Sequence, residues 1–311
     1  MIIPQKSLRG TVAFATIDLC VIAPNTLSSI NQCASLILMN SQPTLLHVLC
    51  DYVAGGMEFG EITNRLQYHL QNPHGVRIHP TSVPGLDTMA IGFVTAQYAY
   101  APCEGKMFIY GNAAPRRESS SAQKNNIDHG IKYARLSNGV EIVNVWSEYA
   151  FGFVKKDIVE FRDIDCPNEG SQFRSRDFFP ERVARLINGD RTLLTRELDA
   201  ADIPEVPHDE VAWTDGFGNI KTSMRKSDLD KMGLKQGQSV QVILNGVSML
   251  GVIATGGFTV DRGVLAVNAG SSGYDDPFVE LFLRVHQLRE KTAAVRFDYP
   301  EGGTKFVIKP L

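Results

Sequence analysis

The sequence predicts two domains: an N-terminal α/β domain, with a mixed or parallel sheet flanked by helices, and a C-terminal all-β, barrel-like domain. Three observations lead there. At 311 residues the chain is long enough for two hydrophobic cores. Its first part alternates short β-rich apolar runs with segments of helical periodicity, as an α/β sheet does. After a Pro- and acid-rich stretch at 200–210, only short strand-like runs separated by glycine turns remain. The expected boundaries are 1–200 for the α/β domain, 201–210 for a linker and 211–311 for the β domain.

In chain order, residues 11–17 (TVAFATI) read as a buried strand ending at Asp18. Ligands of open α/β sheets bind at the carboxyl edge of the strands, which suits Asp18 to function; the alternative is a turn aspartate. Leu86, Met89, Ala90, Phe93, Val94 and Tyr98 recur at helical spacing after Pro84-Gly85, and 107–110 read as a strand. Residues 111–138 turn polar and predict a mobile loop. Strand-like runs return at 141–145 and 151–154. A helix follows at 179–186, with Pro180 in its first turn and Asn188-Gly189 as its stop. Beyond the linker, EVAWTD, GVLAVNAG, VELFLRV and AAVRFDY read as β segments, and SVQVILNGVSMLGVI as a hairpin about Asn245-Gly246.

Composition removes several function classes. With 31 basic and 34 acidic side chains, net charge −3, there is no basic surplus for a nucleic acid. No apolar run approaches the roughly 20 residues of a membrane helix, and MIIPQKSLRG lacks the features of a leader, so a cytoplasmic protein without a membrane partner is expected. The five cysteines form no CxxC pair and His69, His74 and His79 are five apart, so neither a disulfide framework nor a metal site is expected. GxGxxG, GxSxG and the phosphate-loop motif are all absent.

Three clusters carry chemistry. In WTDGFGNIKTS (213–223), Asp215 suits a cationic amine, Phe217 an aromatic ring and Asn219 a base edge, making a ligand clamp; otherwise this is a turn shaped by Gly216 and Gly218. In SQFRSRDFFPERVARLING (171–189), Phe173 would stack or pack and Ser175 would present a hydroxyl and an N–H. Arg174, Arg176 and Asp177 form a charged knot there, or simply the start of a helix with a surface ion pair. NAGSSGYDD (268–276) is a Gly/Ser turn of a kind that holds carboxylates through successive N–H groups, or that merely turns.

Together these clusters resemble the S-adenosylmethionine hydroxide adenosyltransferases and the S-adenosylmethionine-dependent fluorinases and chlorinases. The match is clearest over 172–274, through QFRSRDFFPERVARL, WTDGFGNIKTS, MGLKQGQSVQVIL and NAGSSGY. It is looser before that, through AFATIDL, VPGLDTMAIGFVTAQ and FIYGNAAPRRE. The resemblance implies an α/β domain, a β-barrel and a homotrimer that holds S-adenosylmethionine between one subunit's N-terminal domain and its neighbour's C-terminal domain. It implies in-line displacement of methionine from the ribose C5′ by hydroxide or halide, with adenosine and methionine as further ligands and no cofactor beyond the substrate. Asp18 matches the aspartate that grips the ribose hydroxyls and Asp215 the one that holds the methionine amine. Phe217 and Asn219 match the aromatic and the adenine-reading amide. Phe258 falls at an aromatic that stacks on adenine, Ser271 near the serine that meets the methionine carboxylate, and Phe173 and Ser175 at the wall around C5′.

The departures bear on mechanism. Asn112 stands where the hydroxide enzymes have an aspartate, and Arg174 where they have a histidine; neither serves as a general base. Ser175 matches the fluorinase's halide-contacting serine, with Arg174 as an added attraction for an anion. Asn112, Arg174 and Ser175 are therefore the expected catalytic positions. The competing expectation is a non-catalytic sensor that binds the adenosyl ligand without turnover.

Overall fold

A computed structural model describes residues 43–113, 130–167, 169–171, 173–285 and 291–311. The expected strand at 11–17 and Asp18 lie outside these residues. Residues from Pro43 to Leu311 form one compact unit containing two mixed seven-stranded sheets, one on either side of 201–210.

The first sheet contains β1 (Thr44–Cys50), followed by helix α1 (Met57–His69), then β2 (Val76–Ser82), helix α2 (Thr88–Ala99), β3 (Lys106–Asn112), β4 (Ile131–Leu136), β5 (Glu141–Val145) and β6 (Ile158–Ile164). The short helix α3 (Arg174–Asp177) and α4 (Phe179–Ile187) precede its last strand, β7 (Leu194–Glu197). The order is β2-β1-β3-β5-β4-β6-β7, with β2, β1, β3 and β5 parallel and the rest antiparallel. Strand periodicity divides the side chains between two cores. Leu46, Val48 and Cys50 of β1, Phe108 and Tyr110 of β3 and Val143 of β5 face Phe59, Ile62 and Leu66 of α1 and Val183 of α4. Leu49, Met107, Ile109 and Ile142 point the other way, onto α2.

Helix α2 is buried almost all round, because the first sheet lies on one side and β8 (Val211–Thr214) of the second sheet on another. Asp87 caps it, accepting from the Ala90 N–H at 2.8 Å. Its core includes Ala212 and Phe278, so hydrophobic packing runs continuously from one sheet to the other.

After β8 come β9 (Ile220–Arg225), helix α5 (Lys226–Lys231), β10 (Ser239–Leu244), β11 (Val247–Ala254), β12 (Leu265–Ala269), β13 (Phe278–Leu283), helix α6 (Ala293–Arg296) and β14 (Phe306–Pro310). The order is β14-β10-β11-β12-β13-β9-β8. Asn245 and Gly246, both at positive φ, close the β10-β11 hairpin as expected. The segment before β14 bonds to the start of β8, through Val211 N–H to the Thr304 carbonyl at 2.9 Å and Phe306 N–H to the Asp209 carbonyl at 2.8 Å. These bonds curl the sheet into a half-barrel.

The helices expected at 86–98 and 179–186 and the strands expected at 107–110 and 141–145 are present, each within a few residues. Three readings need correction. Within the expected loop at 111–138, Ile131–Leu136 is a strand whose Ile131, Tyr133, Ala134 and Leu136 are buried; averaging over the polar stretch before it hides this pattern. Residues Gly152–Asp157 form a 3-10 helix rather than a strand, because Phe153 packs edge-on against Phe93 of α2, with ring centroids 5.7 Å apart. In AAVRFDY a helical turn, Ala293–Arg296, replaces the strand, with Thr292 accepting from the Val295 N–H. No helix among the described residues is long and apolar enough to cross a membrane.

Candidate functional site

The turn between β8 and β9 is shaped by Asp215. Its Oδ1 accepts from the Phe217 N–H at 2.9 Å and the Asn219 N–H at 3.0 Å, and its Oδ2 from Asn219 Nδ2 at 3.0 Å. Gly218 takes φ +76°, a conformation that favours glycine. Phe217 is thereby turned outward and 72 % exposed, and Asn219 is held by its amide nitrogen, which leaves its oxygen to accept from a ligand.

Phe217, Asn219, Phe258 and Ser271 line one cleft of about 550 Å³, within the range of small-molecule sites. Phe258, in the middle of the 3-10 turn Gly257–Thr259 after β11, is 79 % exposed and sits 5.4 Å from Phe282 between ring centroids. Ser271 is presented by a turn tied down at both ends. The Gly270 N–H bonds the Phe278 carbonyl, and the Asp276 carboxylate accepts from the Ser227 N–H and hydroxyl.

Sequence reading missed Lys221 and Glu280 in this cleft. Lys221 Nζ lies 2.8 Å from Glu280 and 3.6 Å from Asp215, all three side chains being mostly buried. Lys221 and Glu280 sit opposite each other on paired strands β9 and β13, a juxtaposition that only the strand pairing reveals. Asn268 also lines the cleft, and its buried Oδ1 has no hydrogen-bond partner among the described residues.

A second cluster lies at the carboxyl edge of the parallel strands in the first sheet. Asn112 ends β3 and donates to the Tyr52 hydroxyl at 3.2 Å; that hydroxyl is 2.8 Å from Ser175 Oγ. Tyr110 Oη–H donates to the Ser175 carbonyl at 3.2 Å. Burial pushes the Tyr52 phenol above its usual range, although the bond to Ser175 opposes the shift, so the phenol stays protonated at neutral pH. With Asn112 donating to the phenol oxygen, its proton is available to Ser175 Oγ. Asp51 precedes Tyr52 and follows the apolar run of β1, with its carboxylate accepting from the Leu86 N–H at 3.1 Å. This is the strand-end position expected of Asp18, and TLLHVLC followed by an aspartate is the signal that marks it in the sequence.

Arg174 is 5 % exposed, its guanidinium 5.2 Å from the centroid of the Phe179 ring and close enough to Cys166 to oppose the rise that burial causes in that thiol. The structure thus packs Arg174 into the interior while Phe173 beside it is half-exposed beneath Arg176, 4.9 Å from its ring. The expected charged knot of Arg174, Arg176 and Asp177 forms only between the last two: Asp177 accepts from Arg176 and Ser171 and lies 3.4 Å from Arg65 of α1, while Arg174 packs on Phe179 instead. Arg176 and then Ser171 hold the Asp177 carboxyl down at about 2. Because this lies below the ordinary 3.8, the linked stability is fully present above that pH and is lost as pH falls through the interval. Asp177→Asn is accordingly expected to flatten acid-induced loss of the Phe173–Ser175 geometry between those values, as followed by thermal midpoint against pH.

The 217–285 cleft includes none of the residues of the Tyr52 cluster in its lining. Among the described residues no group of three or more His, Cys, Asp or Glu is arranged to hold a metal.

No protein-family model matches the chain, and no curated protein matches it. Solved structures do. An uncharacterized conserved protein from Thermotoga maritima superposes with a TM-score of 0.64 at 17% identity, over 85% of this chain and 99% of that one. A conserved hypothetical protein from Thermus thermophilus superposes with a TM-score of 0.57 at 15% identity, over 87% and 100%. The likeness is one of fold.

Proposed function

We propose that the protein binds S-adenosylmethionine and transfers its 5′-deoxyadenosyl group to water or to a small anion such as halide. What supports this reading is the gathering of Phe217, Asn219, Phe258 and Ser271, singled out from separate stretches of sequence, in one ligand-sized cleft. Two exposed aromatic faces suit an adenine ring and the Asn219 oxygen suits its amino group. In this reading the α/β domain spans 1–200, the linker 201–210 and the β-barrel domain 211–311. The ligand runs from the cleft of one subunit to the Tyr52–Asn112–Ser175 cluster of its neighbour in a homotrimer. Asp18 or Asp51 grips the ribose, and Phe173 and Ser175 wall the reacting carbon.

In the transfer, a lone pair of the nucleophile forms the bond to C5′ while the C5′–S bond breaks. Its electrons neutralise the sulfonium and methionine leaves. Attack by water also needs a proton acceptor. Asn112 and Arg174 accept none, and the raised Tyr52 phenol is protonated already. This favours an anionic nucleophile needing no deprotonation, with a non-catalytic sensor of the adenosyl ligand as the second reading.

The test is incubation with S-adenosylmethionine in buffers with and without chloride or fluoride, followed by mass spectrometry of the nucleosides. Halogenated deoxyadenosine, formed at a rate flat across neutral pH and lowered by Ser175→Ala, is the expected result. Adenosine formed at a rate rising with pH would overturn the anion preference. Intact ligand with measurable binding would mean a sensor or a different nucleophile.

A further inference from the structure

A second cavity, of about 250 Å³, opens where α2 meets the second sheet and shares no lining residue with the proposed adenosyl cleft. Its floor is apolar, with Phe93, Ala96 and Phe278 all buried. Arg225 lies flat on Phe278, its guanidinium carbon 3.6 Å from the ring centroid. Among the described residues, the one hydrogen bond this guanidinium makes is to the Asp276 carbonyl at 2.9 Å, and no carboxylate lies within ion-pair distance. The Asp276 carboxylate is itself engaged by Ser227. Burial works against the charge of this partly buried guanidinium, and the Asp276 and Asp228 carboxylates offset that only from beyond ion-pair distance. Lys156, exposed on the lining, likewise has no described partner.

Acceptors complement these donors. The buried Oε1 of Gln97 has no hydrogen-bond partner among the described residues, and Asp275 lines the opening with its carboxylate unengaged by any of them. Tyr274, at φ +52°, donates its hydroxyl to the Gln97 carbonyl at 3.2 Å and so fastens the 273–276 turn to α2 as one wall. Tyr100, bonded to Asp157, forms another.

We infer that this cavity binds a free α-amino acid with an apolar side chain. Arg225 and Lys156 take the carboxylate, Gln97 Oε1 and Asp275 take the ammonium, and the side chain rests on the Phe93–Phe278 floor. Because the cavity joins α2 to the second sheet, its occupation braces the contact between the two sheets.

The experiment is calorimetric titration of the full chain with L-leucine and with 4-methylpentanoate, the same molecule without its amine. Saturable one-site binding of leucine at millimolar concentration or below is expected, with 4-methylpentanoate binding at least about tenfold more weakly. Arg225→Gln should weaken leucine binding by about tenfold or more, and Phe217→Ala should leave it unchanged. If Arg225→Gln does not fold, the rim variants Lys156→Gln and Asp275→Asn decide, each expected to weaken binding. Absence of saturable binding, equal affinity for the two probes, or affinity unaffected by both rim variants would overturn the inference. Loss of binding on Phe217→Ala would move the amino acid to the other cleft and overturn it too. Neither result depends on whether S-adenosylmethionine binds.

Discussion

Asp215→Ala is expected to lower the affinity for S-adenosylmethionine by about a hundredfold. Three hydrogen bonds from this carboxylate hold Phe217 outward and fix the Asn219 amide, at 2.9–3.0 Å each. At about 1 kcal/mol per bond their loss amounts to roughly two powers of ten in binding. Lys221 keeps its bond to Glu280 at 2.8 Å, so the cleft floor survives. Asp215→Asn retains one oxygen for the two backbone N–H groups and should fall between the alanine variant and the native protein. The readout is equilibrium titration of ligand, with circular dichroism confirming the fold. Native affinity in the alanine variant would remove this turn from the binding site.

Gly92→Ala is expected to cost about 3 kcal/mol or more of stability and to lower the thermal midpoint by roughly 6 °C or more. In an exposed helix the same change adds about 1 kcal/mol, because alanine is the better helix former. Here the sign reverses. A Cβ at Gly92 would lie 2.1 Å from the Tyr149 carbonyl oxygen and 3.0 Å from the Phe153 ring, and backbone cannot yield as a flexible side chain would. Since α2 packs against both sheets, the displacement reaches both. Differential scanning calorimetry reads this directly, and an unchanged or raised midpoint would show that α2 and the Gly152–Asp157 turn can separate at little cost.

What the sequence makes legible follows from the range of the forces involved. The Asn245-Gly246 hairpin and the Pro180 and Gly189 ends of α4 are local chemistry and can be read directly. So can the Asp215–Asn219 turn, since its hydrogen bonds span at most four residues. The Lys221–Glu280 pair depends on the pairing of β9 with β13, and the Tyr52–Ser175 bond joins residues 123 apart, so neither leaves a local signature. Asp51 is legible in principle, because an apolar strand precedes it just as an apolar run precedes Asp18. The β14 strand is hidden, since burial there alternates over only five residues. The burial of Arg174 is equally hidden; an arginine at the start of a helix reads as surface until Phe179 is seen beneath its guanidinium.

Binding of S-adenosylmethionine to the native protein, compared with the Phe217→Ala, Phe258→Ala double variant, is the measurement to make before any other. Both rings are mostly exposed, so their removal leaves the hydrophobic cores intact. Saturable binding to the native chain is expected, weakened by about tenfold or more in the double variant as adenine loses its stacking partners. No saturable binding, or equal affinity in the two proteins, would contradict an adenosyl site in this cleft.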